Sequence, residues 1–130
     1  MAQFVIQHYT LTVGRTASGR YARLYLTSPT MTHNIINRGS LTFRETSAGI
    51  SGNVFNVGGL NFDGISVYAS LPYSDFESIY DAVRSESPIS LRYYYGPGSG
   101  TTRPLRSVFV ATDEEIPGEG PEDEDAPDSL

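Results

Sequence analysis

Apolar and polar residues alternate with a period of two over much of the first 112 positions, the signature of half-buried β-strands. Phe4-Val5-Ile6 opens a strand over 3–13, in which Tyr9, Leu11 and Val13 face one way and His8, Thr10 and Thr12 the other. Residues 14–19 are turn chemistry. Positions 20–27 then alternate again, Ala22, Leu24 and Leu26 against Tyr21, Arg23 and Tyr25, so the two segments predict a hairpin. Ser28-Pro29 stops the second strand, a polar connector runs through His33, and Leu41-Thr42-Phe43-Arg44 supplies a third, short strand.

Residues 49–52 mark a turn before a strand at 53–57, with Ser51 read as a loop residue. Gly58-Gly59 suits a tight type I′ hairpin to Leu60-Asn61-Phe62, and Asp63-Gly64 is a further turn or a glycine bulge leading into Ile65, Val67 and Ala69. The clearest local signal comes next. Ser74-Asp75-Phe76-Glu77 matches a capping box, in which the Ser hydroxyl accepts from the third helical N–H and the Glu carboxylate from the Ser N–H. Phe76, Ile79, Tyr80 and Val83 follow at i, i+3, i+4 and i+7, one apolar stripe on a helix over about 74–86 that Pro88 prevents from continuing. A helix of about three turns is marginal in isolation and needs its stripe covered.

Residues 89–95 alternate Ile89, Leu91, Tyr93 and Tyr95 with Ser90, Arg92 and Tyr94, Gly96-Pro97 ends that strand, and 106–112 forms the last. The expectation is a mainly β domain, α+β by element count, of about seven strands and one covering α-helix. Hairpin connections make the sheet largely antiparallel, and a small antiparallel β-barrel or rolled sheet removes its exposed edges. An open α+β sheet with the helix on one face is the alternative.

Length sets the domain count at one, since 130 residues fall within the ordinary single-domain range. Charge divides the chain more sharply than pattern does. The net −6 hides two materials: residues 113–130 hold nine carboxylates and no base, whereas residues 1–112 hold nine Arg against six carboxylates, a net +3. Pro117, Pro121, Pro127, Gly118 and Gly120 lie in the acidic segment, whose composition buries too little apolar surface to offset its ordering entropy. The expected organisation is a β-rich globular domain over 1–112 and a flexible acidic tail over 113–130. The tail either only solubilises or has a partner; of its two functional readings, folding back over Arg side chains of its own or a neighbouring copy is preferred to mimicking nucleic-acid phosphate.

Two absences narrow the chemistry. Without Cys there is no thiolate metal site, disulfide or Cys nucleophile, and without Lys there is no Schiff base or P-loop Lys. Residues 96–102 resemble a phosphate loop only superficially, because Thr101 stands where the Walker Lys belongs and Arg103-Pro104 follows instead of a helix. Gly49-Ile50-Ser51-Gly52-Asn53 narrowly misses a nucleophile elbow. The only His residues, His8 and His33, make a poor metal set or general base. No catalytic residue, cofactor or metal is assigned, and the chain is expected not to be an enzyme. No stretch approaches the roughly 18 apolar residues of a membrane span, and positions 1–13 lack a signal-peptide pattern, so a cytoplasmic, membrane-free protein is expected.

What remains is a surface of Arg and Tyr. Tyr21, Arg23 and Tyr25 share one face of the second strand, Arg92 and Tyr94 one face of the strand after the helix, and Arg103 and Arg106 flank the glycine-rich loop, where they suit anions weakly. Such residues are enriched at protein interfaces, which predicts a non-enzymatic protein-interaction or assembly module, self-associating through these faces, with the acidic tail solubilising or screening the Arg surface. The alternative reading is a single-stranded nucleic-acid or nucleotide-binding domain using the same face, since rings and guanidinium planes stack on bases.

Overall fold

Where the alternation is unbroken the chain extends, and where small residues or left-handed positions interrupt it the strands stop. The computed structural model describes residues 2–29, 36–58, 64–98 and 100–112. Eight strands form: β1 (Ala2–Val5), β2 (His8–Thr16), β3 (Gly19–Pro29), β4 (Ile36–Arg44), β5 (Ser51–Phe55), β6 (Ser66–Pro72), β7 (Ile89–Tyr95) and β8 (Arg103–Thr112), with helix α1 (Phe76–Ser85) between β6 and β7. One sheet holds them all in the order β1-β7-β8-β5-β6-β4-β3-β2. Neighbours pair antiparallel except β4 and β6, which run parallel because β6 inserts between β4 and β5. The mainly β class is therefore as expected, with one strand more than anticipated. His33, the segment Leu60-Asn61-Phe62 and the acidic segment 113–130 lie outside the described residues.

The order of strands has two ends and does not close on itself. Those ends, β1 and β2, are consecutive in the chain, because the single strand expected over 3–13 is divided at Ile6-Gln7. There the Ile6 N–H donates to the Ile89 carbonyl (2.8 Å) and the Gln7 N–H to the Thr27 carbonyl (2.9 Å). The first half consequently joins β7 and the second half β3.

Alternation sends one face of the sheet into the core. Ala22, Leu24 and Leu26 on β3, Phe43 on β4, Val54 on β5, Val67 on β6 and Leu91 on β7 are fully shielded from solvent. Each large side chain among them contributes roughly 1.5–3 kcal/mol through burial. The helix covers part of this face with the expected stripe: Phe76 and Val83 are buried, and Ile79 and Tyr80 pack at the core's border. The Phe76 ring meets Phe43 edge-on at 5.3 Å and stacks on Tyr80 at 5.6 Å.

Local chemistry departs from the expected pattern in four places. Ser74 does not cap the helix; it lies in a 3₁₀ turn (Tyr73–Asp75), and Asp75 takes the cap position without a side-chain hydrogen bond. Ser51 is the first residue of β5, paired with Ser70, and not a loop residue. Asn56 ends that strand two residues early, in the left-handed region at φ 67°, where its amide donates to the Gly64 carbonyl (3.0 Å). β4 starts at Ile36 rather than Leu41, so the third strand is long and pairs with β3 from Tyr21 to Pro29.

Gly52 allows β5 to approach β6. Its φ is +146°, and a Cβ there would lie 1.9 Å from the Tyr68 carbonyl oxygen, which is backbone and cannot rotate away. Gly52→Ala is expected to lower unfolding free energy by at least about 2 kcal/mol. Gly14→Ala, with nothing within 4 Å of the added Cβ, is expected to leave it unchanged or slightly raised, the comparison being made by urea denaturation.

Burial on β7 produces a pH effect. The Tyr93 phenol is pushed up to about 12, first by desolvation and second by Tyr95, while in the unfolded chain it titrates near 10. Because the neutral phenol is the form the fold favours, its contribution is intact below pH 10 and declines as pH rises to about 12. Denaturation midpoints are expected to fall across that window and to fall less steeply in Tyr93→Phe.

Candidate interaction face

The residues opposite the core on five adjacent strands form one outer face. Burying Ala22, Leu24 and Leu26 turns Tyr21, Arg23 and Tyr25 outward, and the ladder registers decide what lies beside each. Arg23 stands between Thr12 on β2 and Thr42 on β4, with Ser70 on β6 and Ser51 on β5 continuing the row. Tyr25 heads a parallel row through Ser40, Tyr68 and Asn53. Beside it run His8, Thr27, Arg38, Ser66 and Phe55, and at the far end Tyr21 pairs with Arg44. Three Arg, three Tyr, one Phe and one His thus share the surface with Ser, Thr and Asn, and no Asp or Glu occurs in these rows.

Geometry within the face holds its cations without neutralising them. The Arg23 guanidinium lies 5.5 Å from the Tyr25 ring centre and its Nε donates to Ser40 Oγ (3.0 Å). Arg44 lies 5.5 Å from the Tyr21 ring centre. Such contacts hold the guanidinium plane against a ring while leaving its charge available. Two ion pairs form among the described residues, Arg20–Glu45 and Arg84–Asp81, and neither involves Arg23, Arg38 or Arg44. Among the described residues, shallow depressions interrupt the surface: one of about 210 Å³ is lined by Thr10, Thr12, Arg23 and Tyr25, one of about 220 Å³ lies between β4, β5 and β6 beside Tyr68 and Asn53, and one of about 110 Å³ lies at the end of the face by Tyr21, Arg44 and Glu45.

The carboxylate adjoining Arg44 in sequence is already engaged. Glu45 accepts from Arg20 Nε (2.6 Å) and from the Arg20 backbone N–H (2.8 Å), and these hydrogen bonds hold its carboxyl below the ordinary glutamate value. Stability from a carboxylate with a depressed pKa is present above its unfolded value of about 4.5 and is lost as pH falls through the lower folded value. The stability difference between the wild type and Glu45→Gln is therefore expected to be visible at neutral pH and to vanish in acid, as read by denaturation at a series of pH values.

The seven residues singled out from sequence do not make one patch. Tyr21, Arg23 and Tyr25 share one face of β3, Tyr21 and Tyr25 half-buried and Arg23 exposed. Four strands separate them from β7. There Arg92 is half-buried, donating from Nε to Gln3 Oε1 (3.0 Å) and from Nη2 to the Thr112 carbonyl (3.3 Å). Tyr94, expected to be displayed beside it, is buried at 9% exposure with its ring edge-on to Phe109 at 6.2 Å. Arg103 donates from Nη1 to the Gly100 carbonyl, and Arg106 is exposed beside Gly96. The glycine-rich segment is the hairpin loop between β7 and β8, closed by the Gly96 N–H donating to the Pro104 carbonyl (2.8 Å).

Arg38, Arg44, Tyr68 and Phe55 belong to the outer face but were not predicted for it. The alternation Arg38-x-Ser40-x-Thr42-x-Arg44 carries the signal for β4, whereas nothing local marks β6 as its parallel neighbour. Among the described residues no group of three His, Cys, Asp or Glu is placed to hold a metal, and no helix is long and apolar enough to cross a membrane. No protein-family model, curated protein or solved structure matches the chain.

Proposed function

We propose that the chain is a non-enzymatic interaction and assembly module, that the outer face of β2, β3, β4, β6 and β5 is its binding surface, and that acidic segments such as its own residues 113–130 are the ligands. The supporting observation is a five-strand surface carrying Arg23, Arg38 and Arg44 among Tyr, Ser and Thr with no carboxylate in its rows. A face of that charge repels its own copy when apposed directly. It attracts a segment holding nine carboxylates and no base. Fully extended, 18 residues reach about 60 Å, enough to cross a neighbouring domain of this size. Supplied by a second copy, the segment links molecules; supplied by the same copy, it screens the face from competitors. The barrel closure anticipated from the hairpin pattern belongs with this proposal, as a rolled sheet whose solvent-facing side, opposite the core, is the binding surface.

A second reading, single-stranded nucleic acid on the same surface, is favoured by one observation: Tyr25 and Tyr68 present rings in one row, with Arg23 beside Tyr25 and Arg38 in the adjacent row. The two ligands are separated by one assay. In the full chain with the nine carboxylates of 113–130 replaced by their amides, a labelled peptide of residues 113–130 is expected to bind, with affinity falling as salt rises. The further changes Arg23→Glu and Arg44→Glu are expected to weaken it at least about tenfold, by fluorescence anisotropy. Absent or undiminished peptide binding overturns the proposal; tighter binding of a labelled single-stranded oligonucleotide to the same protein transfers the face to the second reading.

A further inference from the structure

The end of the sheet at β2 is unlike a protected edge. β2 is nine residues long, pairs with β3 without interruption from His8–Thr27 to Thr16–Gly19, and has no strand on its other side among the described residues. Edge strands are usually short, bulged, or guarded by Pro and several charges, because a long open edge is a template for another strand. Here there is no Pro or Lys, and Arg15 is the one formally charged residue. On the core side of this strand the apolar row continues past its cover. Tyr9 and Val13 lie beside the fully buried Leu26 and Ala22, yet they are 41% and 54% exposed.

We propose that β2 pairs with β2 of a second copy, antiparallel about a two-fold axis at Thr12, to form a dimer with one continuous sheet. Thr12 is the midpoint of the strand, so this register alone uses all nine residues of each copy. It sets Leu11 opposite Val13, apolar against apolar, and Tyr9 opposite Arg15, ring against guanidinium. Thr10 meets Gly14, His8 meets Thr16, and like charges never face each other. Arg84, whose charge is felt at Tyr9, is already paired with Asp81 at 2.8 Å. Shifting the axis by one residue to Leu11 or Val13 leaves two residues of each strand unpaired. The occupant is a copy of this chain because the strand is complementary to itself: each exposed apolar or aromatic residue finds a partner of matching chemistry, and each free backbone edge finds the same edge inverted.

This dimer does not rest on the acidic-ligand reading of the outer face, although it would set two such faces side by side across β2. Sedimentation velocity of the full chain at micromolar concentration is expected to show a dimer whose association changes little with salt. Val13→Lys, at a position exposed enough to accept the change, is expected to raise the dimer dissociation constant at least about tenfold with an unaltered circular dichroism spectrum. In a chain without Cys, Thr12→Cys is expected to form a disulfide-linked dimer on mild oxidation, because cross-strand partners stand about 4.5–5.5 Å apart at Cα. Thr10→Cys is expected not to, since the two copies of that position are four residues out of step, about 13 Å apart along the strands. A monomeric wild type overturns the proposal, as does a dimer that withstands Val13→Lys or resists cross-linking through Thr12→Cys. A dimer abolished by Arg23→Glu and Arg44→Glu but untouched by Val13→Lys assigns self-association to the outer face instead.

Discussion

The burial of one row of side chains on β3 and β4 governs most of what this protein presents to solvent. Ala22, Leu24, Leu26, Leu41 and Phe43 have almost no exposure, and side chains along a strand alternate strictly. A slip of one residue in either strand would drive Arg23 or Arg44 into the core and lift Leu24 or Phe43 into water, an exchange of several kcal/mol per side chain. Register and outward chemistry are thus one constraint. The Arg/Tyr face is the necessary reverse of the hydrophobic one.

From that constraint the electrostatics follow. Arg23 is held by a ring and a hydroxyl and Arg44 by a ring, while the ion pairs formed among the described residues are Arg20–Glu45, beside Arg44 at the hairpin end of the face, and Arg84–Asp81 on the exposed side of α1. Among the described residues Arg23, Arg38 and Arg44 therefore form no ion pair. α1 contributes from the other side: by stacking Phe76 on Tyr80 and setting Phe76 against Phe43, it covers part of the inner face. It does not cover the apolar row of β2 beyond Tyr9, whose ring meets Tyr80 edge-on at 6.1 Å. The exposed part of that row and the open backbone edge of the same strand are two consequences of where the helix stops.

Several elements were legible in the residues alone because their causes are local. Period-two alternation placed β3 and β7, and the spacing of Phe76, Ile79, Tyr80 and Val83 placed α1 and the face it buries. Other features were misread where a longer-range contact outweighed the local signal. Ser74 has a capping sequence, but the chain leaves β6 through a 3₁₀ turn that starts directly after Pro72. Ser51 sits among turn residues, yet Gly52 lets the chain approach β6 closely enough to begin pairing there. Tyr94 looks displayed from its alternation with Tyr93, but its ring is buried beside Phe109.

The mainly β class, helix α1, the absence of Cys and Lys chemistry, and the opposition between a basic body and an acidic segment can be read from the residues, because each depends on composition or on spacing within one element. Which strands are neighbours follows from long-range packing. The parallel pairing of β4 with β6, the division of the first strand between the two ends of the sheet, and the assembly of Arg23, Arg44 and Tyr68 on one face all join residues far apart in the chain. Pairing of that kind is selected by the whole set of buried side chains together, and no local window of residues contains it.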